Sequence, residues 1–161
     1  RKIPETITEE ELLKIVKAEE NPQRKLCYML GFYQAMRISE VINLKKENID
    51  KGRKLIMIKE AKGKKDRNIP ISPNVMRGLK HLPMPFGIRA LQIQFKNISL
   101  KVLKKDLHFH ILRHSSATFY LNIKKWDLRS VQVLLGHSKI DMTEIYTHVS
   151  PQNLIDRMWD E

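Results

Sequence analysis

The apolar residues in the first third of the chain recur at helical spacing and predict short amphipathic helices. Thr8 and Glu11 form a capping box, so the first helix is expected over residues 8–20. Asn21 stands before a first-turn proline, which predicts a second helix to about residue 35, and a third is predicted over residues 38–44. The apolar side chains expected to face the core are Leu12, Leu13, Ile15, Val16, Leu26, Met29, Leu30, Phe32, Ile38, Val41 and Ile42.

The pattern changes in the middle of the chain. Residues 54–59 (KLIMIK) and 67–71 (RNIPI) are short segments with isoleucines and are typical of β-strands, which predicts two antiparallel strands joined by a basic turn over residues 60–66. The expected fold is mainly α with a small antiparallel β-sheet, an α+β domain of residues 8–161. The later helices are predicted over residues 72–82, 88–103, 110–122, 127–135, 141–149 and 151–159.

Positive charge is concentrated in two segments. The 161-residue chain has 30 Lys and Arg against 18 Asp and Glu, for a formal charge of +12. Residues 51–67 hold eight Lys or Arg and two acidic residues, residues 96–125 hold seven and one, and the rest balances. Such a field favours binding to phosphates and indicates a nucleic-acid partner. The charge alone leaves open a solvated basic surface that serves solubility.

Composition excludes several other classes of protein. No apolar run approaches the ~20 residues of a membrane-spanning helix, and no signal-peptide pattern opens the chain. The single Cys27 excludes an internal disulfide and a cysteine-rich zinc fold, and it fits a reducing, cytoplasmic setting. Because the chain begins at Arg1 and not at Met, we expect it to be cut from a longer protein, with residues 1–7 as a linker stub.

Several polar residues stand where a soluble helix gains nothing from them. His110 and Arg113 are three residues apart and therefore share one helical face, and His137 and Tyr146 are separated by nine residues. In their sequence contexts they are Arg37 in MRISE, Lys62 in the turn AKGKKDR, His110 and Arg113 in HILRHS, His137 in LLGHS, and Tyr146 in IYTH.

In this order and spacing, the motifs resemble the catalytic domain of the tyrosine recombinases, which include phage-type integrases and Xer-type recombinases. The similarity runs from about residue 8 to residue 149. It implies an enzyme for site-specific DNA recombination or integration that needs no metal, other cofactor or ATP. It also implies double-stranded DNA and further protomers in a DNA-bound synaptic tetramer as partners. The implied place of action is cytoplasmic, at a prokaryotic nucleoid or with a viral or mobile element, and no membrane is involved.

The resemblance implies a phosphate-binding pair and a nucleophile. Arg37 and Arg113 would hold the scissile phosphate from two sides, a task that suits planar, permanently charged guanidinium groups. Tyr146 would attack phosphorus and form a 3′-phosphotyrosyl intermediate, with nearby positive charge favouring its ionisation.

Proton transfer would fall to a lysine and a histidine. By the resemblance, Lys62 protonates the departing 5′ oxygen, although Lys64 or Lys65 could take that role. His110 would act as general base or contact the phosphate, and His137 would donate a hydrogen bond to a non-bridging oxygen.

Other polar residues are expected to support the site. Glu40 would orient Arg37 or a neighbouring histidine, and His114 would have a supporting role. A zinc site built on His108, His110 and His114 is disfavoured, because no further ligand is indicated. Direct DNA contacts are expected from Lys59, Lys64, Lys65, Arg67, Lys104 and Lys105.

The chain also departs from the family pattern. Ala35 stands where the family usually has Gly, which we expect to alter local packing, and the family's amino-terminal DNA-clamping domain is expected to be absent from this chain. An apolar stripe within residues 151–161 suits contact with a neighbouring protomer or packing on the chain's own body. A type IB topoisomerase-like enzyme and a catalytically silent DNA-binding module are the alternative functions.

Overall fold

The computed structural model describes residues 5–60, 66–136 and 151–159, and these form helices around a small antiparallel sheet. The predicted fold class is confirmed. The strands are β1 (Ile49–Asp50), β2 (Leu55–Ile58) and β3 (Arg67–Pro70), with 3₁₀ turns at Lys46–Asn48 and Arg77–His81 and a π-helical turn at Phe119–Ile123. The helices are α1 (Glu9–Ala18), α2 (Pro22–Tyr33), α3 (Ile38–Asn43), α4 (Pro73–Met76), α5 (Ile88–Leu103), α6 (Ile111–Thr118), α7 (Leu128–Leu135) and α8 (Pro151–Trp159).

Side-chain caps set the starts of the first two helices. The N–H of Thr8 donates to the Glu11 carboxylate at 3.0 Å, and the N–H of Glu11 donates to the Thr8 hydroxyl at 3.1 Å, so the predicted capping box is confirmed. The Asn21 side chain accepts from the N–H groups of Gln23 and Arg24, both at 2.9 Å. Both helices therefore begin where their capping residues predict.

The apolar face of α1 is narrower than the sequence suggests. Leu12 and Ile15 are fully buried on a helix that packs against α2 and α5, whereas Leu13 is 47% exposed. An α-helix turns by about 100° per residue, so Leu13 points away from the side that Leu12 buries. The prediction that Leu13 faces the core is wrong for this reason.

The strands pair in the order β1-β2-β3, and both pairings are antiparallel. Ile58 at the end of β2 lies opposite Arg67 at the start of β3. The N–H of Glu60 donates to the Asp66 carboxylate at 3.0 Å, which closes the base of the intervening turn. Strand β1 was not predicted, because two residues are too few to show alternation.

Helix α2 runs through the core and fixes the position of α6. The two helices pack directly, and most of α2 is buried. A Cβ at Gly31 would lie 2.9 Å from Cδ1 of Leu112 and 3.1 Å from Cε1 of Phe109. Glycine therefore allows a close approach at the residue that precedes Arg113.

Ile7 belongs to the core and not to a linker. Its side chain is buried, and its N–H donates to the hydroxyl of Ser115 on α6 at 2.8 Å. In this structure Ile7 therefore packs with the domain, and the division between a linker stub over residues 1–7 and a domain from residue 8 stays a prediction.

The last helix packs on the chain's own sheet. Leu154, Ile155 and Met158 are buried, and α8 contacts β3. The indole N–H of Trp159 donates to the carbonyl of Ile71 at 3.0 Å. Of the two expectations for this apolar stripe, packing on the chain's own body is the one found in this structure.

The remaining predicted helices differ mainly in how they end. The helix over residues 88–103 is confirmed, but the one over 72–82 tightens into a 3₁₀ turn, and the one over 110–122 widens into the π-helical turn. The helix predicted over 141–149 lies outside the described residues. Within the described ranges, no helix is both long and apolar enough to cross a membrane.

Candidate active site

Arg113 joins the ends of two helices. It lies in the first turn of α6 and is 6% exposed. Its Nη1 donates to the carbonyl of Ala35, just beyond α2, at 2.6 Å, and its Nη2 donates to the carbonyl of Leu135, the last residue of α7. Carbonyls at helix ends lack intrahelical partners and carry partial negative charge, so a guanidinium suits them. A guanidinium has five N–H groups, so these two bonds leave donors for an anion.

Arg113 and Arg37 lie in one site. Burial lowers the pKa of Arg113 most, and the positive charge of Arg37 lowers it further, to about 10. At neutral pH Arg113 therefore remains charged. The mutual influence of the two charges and the bond to Ala35, two residues before Arg37, show that the structure brings the predicted arginine pair together.

Arg37 is the exposed member of the pair. Its side chain is 43% exposed, its N–H donates to the Glu40 carboxylate at 2.8 Å, and its Nη1 lies 3.3 Å from the same group. Two residues earlier, Ala35 has a φ of 55°, a left-handed conformation that favours glycine. The resembled family usually has Gly at this position, and the left-handed backbone of Ala35 is a conformation that suits glycine.

Glu40 binds two arginines at once. Its side chain is 9% exposed, and Arg67 lies 3.0 Å and 3.4 Å from its two oxygens, in addition to the contact with Arg37. Burial alone would raise the pKa of Glu40, but the hydrogen bonds and charge of Arg67, followed by the N–H of Arg37, outweigh it and lower the pKa below its usual range. Glu40 is therefore a carboxylate at neutral pH and makes the predicted contact with Arg37.

His110 precedes α6 and forms an edge-to-face contact with His114, with ring centroids 4.6 Å apart. Partial burial, followed by the positive charges of His114, Arg113 and Arg37, lowers the pKa of His110 below its usual value. At pH 7 the ring is therefore neutral, the form that accepts a proton. In the part of the chain that the structure describes, no group of three or more His, Cys, Asp or Glu side chains is arranged to hold a metal ion.

The lysines predicted to contact DNA are not equivalent. Lys59 and Lys104 are exposed. Lys105 pairs with Glu11 at 3.4 Å and with Glu5 at 3.9 Å, so part of its charge is already offset within the chain. The structure thus leaves Lys59 and Lys104 more accessible to a phosphate than Lys105.

Arg67 is placed differently from the predicted surface contact. Its side chain is 15% exposed and pairs with Glu40 and Glu60, so it is not a free surface cation. The sequence places Arg67 among basic residues, and it cannot show that a carboxylate 27 residues earlier reaches it. The direct DNA contact expected from Arg67 stays a prediction, and in this structure its guanidinium is engaged by the two carboxylates.

Some predicted site residues lie outside the described residues, in two segments of the chain. The last described residue before each segment lies close to an arginine of the site. Glu60, the last described residue before the turn, pairs with Arg67. Gly136, the last before the second segment, follows Leu135, which binds Arg113. The predicted residues concerned are Lys62, Lys64, Lys65, His137 and Tyr146.

Sequence reasoning missed the groups that hold the arginines. The acceptors of Arg113 are main-chain carbonyls, which every residue carries and which therefore leave no signal in a sequence. In the sequence, Glu60 is recognisable only as part of a basic turn. The one available signal was Gly136, whose helix-ending position is consistent with a carbonyl exposed just before it.

Comparison with known proteins agrees with this site. The family model described as "Phage integrase family" matches residues 5–83 and 87–153. A tyrosine recombinase of Thermosipho africanus (strain TCF52B) is 34% identical over 177 residues, which cover 97% of this chain and 61% of that protein. The chain therefore spans about three fifths of the length of this relative.

Solved structures share the fold. The integrase from mycobacterium phage Brujita has a TM-score of 0.84 at 21% identity and is matched over 98% of this chain and 58% of its own. XerH site-specific recombinase, in a post-cleavage complex with a palindromic difH substrate, has a TM-score of 0.69 at 26% identity over 99% of this chain and 54% of its own.

Proposed function

Because this chain belongs to the phage integrase family, that of the tyrosine recombinases, we propose that it cleaves and rejoins duplex DNA at specific sites through a 3′-phosphotyrosyl intermediate. One observation carries the proposal. Arg113 is fixed between the ends of α2 and α7, close enough to Arg37 for their charges to interact. Two guanidinium groups in one site suit the negative charge that the two non-bridging oxygens of a phosphodiester carry in the transition state.

The two arginines would stabilise charge on the non-bridging oxygens. Attack on phosphorus adds negative charge there, and planar donors that stay charged bind it without needing a proton transfer. By analogy with other such donors, each would contribute about 10²–10³ in rate. Arg113, held by main-chain groups, would be the fixed element, and Arg37, which is exposed, would meet the substrate.

Tyr146 is proposed as the nucleophile, and the other tyrosines support this by being unsuitable. Tyr28, Tyr33 and Tyr120 are buried, and their hydroxyls donate to groups of the protein at 2.6–2.7 Å. Burial, followed by hydrogen bonding to Glu19 or Glu9, raises the pKa of Tyr28 and of Tyr33. A nucleophilic phenol requires the opposite shift.

The proposed reaction balances without a metal or ATP. The Tyr146 oxygen forms a bond to phosphorus as its proton passes to His110, and the bond from phosphorus to the 5′ oxygen breaks as that oxygen takes a proton from Lys62. The energy of the broken ester is kept in the phosphotyrosyl bond. A second 5′ hydroxyl can therefore reverse the sequence and join a new strand.

A suicide duplex tests this function. The chain is incubated without metal on duplexes nicked just 3′ of the cleavage point, so that the short fragment that carries the released 5′ hydroxyl diffuses away. Covalent adducts are then separated on denaturing gels. We expect an adduct that Tyr146→Phe abolishes and that the matched variant Tyr33→Phe retains. No adduct on any cognate site indicates a catalytically silent DNA-binding module, and relaxation without exchange between duplexes indicates a topoisomerase-like enzyme.

We also propose that α8 contributes to contacts between protomers on DNA, at the nucleoid or on a mobile element within the cytoplasm. The apolar face that packs on β3 would pack equally well on the same surface of a second copy. Deleting residues 151–161 should weaken assembly on DNA more than DNA binding in gel shifts. Equal loss of both would argue against this role.

A further inference from the structure

Arg67, the first residue of β3, contacts three separate parts of the site. Its Nη1 lies 3.0 Å from Oε2 of Glu40 and its Nη2 3.4 Å from Oε1, and Nη1 also pairs with Glu60. The guanidinium rests against Gly136 as well, since a Cβ at Gly136 would lie 2.5 Å from Nε and 2.7 Å from Cζ. One largely buried side chain thus links β3 with α3, the turn after β2 and the end of α7.

Each of these contacts leads to a residue of the proposed reaction. Glu40 binds Arg37 through both its main-chain N–H and its guanidinium. Glu60 is the last described residue before the turn that contains Lys62. The third contact, at the end of α7, is the residue directly before His137. Arg67 therefore reaches Arg37 through Glu40, contacts the residue directly before His137, and pairs with Glu60, two positions before Lys62.

Charge gives Arg67 a second role. Glu40 and Glu60 both pair with Arg67, and the charges of all three also act on Arg113, as does that of Arg37. The cluster therefore has three positive and two negative groups, and without Arg67 it would lose its excess of positive charge. Glu40 would then engage Arg37 more strongly, and the cluster would attract a phosphate less.

The chemistry requires arginine at this position. A planar fork binds two carboxylates and lies flat against glycine, whereas a lysine ammonium is a single point on a flexible stem. The Nε of Arg67 is buried and has no hydrogen-bond partner within the described ranges.

We propose that Arg67 is a positioning residue: it holds Glu40 so that Arg37 faces the scissile phosphate, and it ties the lysine-bearing turn to the same cluster. The inference rests on the proposed function, because its effect is on strand cleavage.

The test compares Arg67→Met with Arg89→Met, which removes an exposed cation of α5. Single-turnover cleavage of the suicide duplex is measured at saturating DNA, together with the Kd for an uncut duplex and the melting temperature. Arg67→Met should slow cleavage by about tenfold to a hundredfold, because misplacing a catalytic group costs rate more than affinity. The Arg89→Met control should cleave at the unaltered rate.

Two further variants separate positioning from folding. Arg67→Lys keeps the charge and, even if Arg67→Met does not fold, should fold and still cleave more slowly. A double variant, Arg67→Met with Glu40→Gln, should be no slower than the slower single variant, because both act through Arg37. Additive losses, or a normal rate at saturating DNA in folded Arg67→Lys, would overturn the inference. If the unaltered chain forms no adduct, the proposed function fails as well.

Discussion

The two arginines of the site are held in opposite ways. Arg113 is buried and bonded to two neutral main-chain carbonyls, whereas Arg37 is exposed and bonded to a carboxylate that Arg67 also binds. Neutral acceptors fix Arg113 without offsetting its charge. Glu40 offsets the positive charge of Arg37, and Arg67 compensates by adding a positive charge beside Glu40.

Because of this difference, we expect the two arginines to contribute differently to stability and to activity. Arg113 completes the ends of two helices, so its loss should reduce both stability and activity. Arg37 is the exposed partner of its ion pair, and Glu40 keeps its pairing with Arg67 when Arg37 is removed, so Arg37 contributes only about 1 kcal/mol to stability. Its loss should therefore reduce activity with little effect on stability.

The largest effect is expected from Arg113→Ala. Two buried carbonyls would lose their partners, at about 1–3 kcal/mol each, and the scissile phosphate would lose its fixed donor. Chemical denaturation should show the loss of stability, and the suicide-duplex assay should show no adduct. Arg113→Lys should recover only part of either property, since one ammonium cannot reach both carbonyls as a fork does. A stable Arg113→Ala protein would remove the proposed distinction between the two arginines.

The next effect is expected from Arg37→Ala. Cleavage should fall by about 10²–10³, because a donor to the transition state is lost. The free energy of unfolding should change by only about 1 kcal/mol, since Arg37 is exposed and Arg67 still pairs with Glu40. A DNA affinity that changes far less than the cleavage rate would strengthen the contrast between Arg37 and Arg113. A large fall in melting temperature would instead give Arg37 a structural role.

The pH dependence of cleavage distinguishes the two roles left open for His110. The pKa of His110 is lowered, so a general base stays neutral and active down to a pH below 6.5 and is lost as pH falls further. The matched variant His114→Gln removes a positive neighbour and should move this loss towards higher pH. A rate that rises on acidification would instead indicate a cationic phosphate contact.

The smallest effect is expected at Ala35, which lies between the two arginine sites. Ala35→Gly relieves a left-handed strain of about 1 kcal/mol but removes a buried methyl of about 0.8 kcal/mol. The free energy of unfolding should therefore change by less than about 1 kcal/mol, with cleavage unaltered. Ala35→Val, which places a branched side chain in the same backbone conformation, should lower both stability and the cleavage rate.

The elements of the fold could be predicted because their signals are local. The capping box at Thr8, the cap at Asn21 and the helix stop at Gly136 each specify a helix end within a few residues. Strand β1 and the π-helical turn at Phe119–Ile123 could not, because tertiary packing and not a local pattern determines them.

The candidate site, too, could be predicted only where its signals are local in the sequence. Arg37 and Arg113 could be identified by residue type and order. The partners that hold them could not, since Ala35 and Leu135 act through main-chain carbonyls and Arg67 reaches a carboxylate far along the sequence. Periodicity describes which side of a helix is apolar, and it carries no information on which distant group a buried cation meets.

The contact of α2 with α6 at Gly31 limits how far this chain can change. A methyl group there would lie closer to Leu112 than van der Waals packing allows, so the two helices would have to separate. Arg113 is the next residue along α6, and its reach to the turn beyond α2 would lengthen by the same amount. The absence of a side chain at Gly31 therefore helps to set the distance between Arg113 and the residues near Arg37.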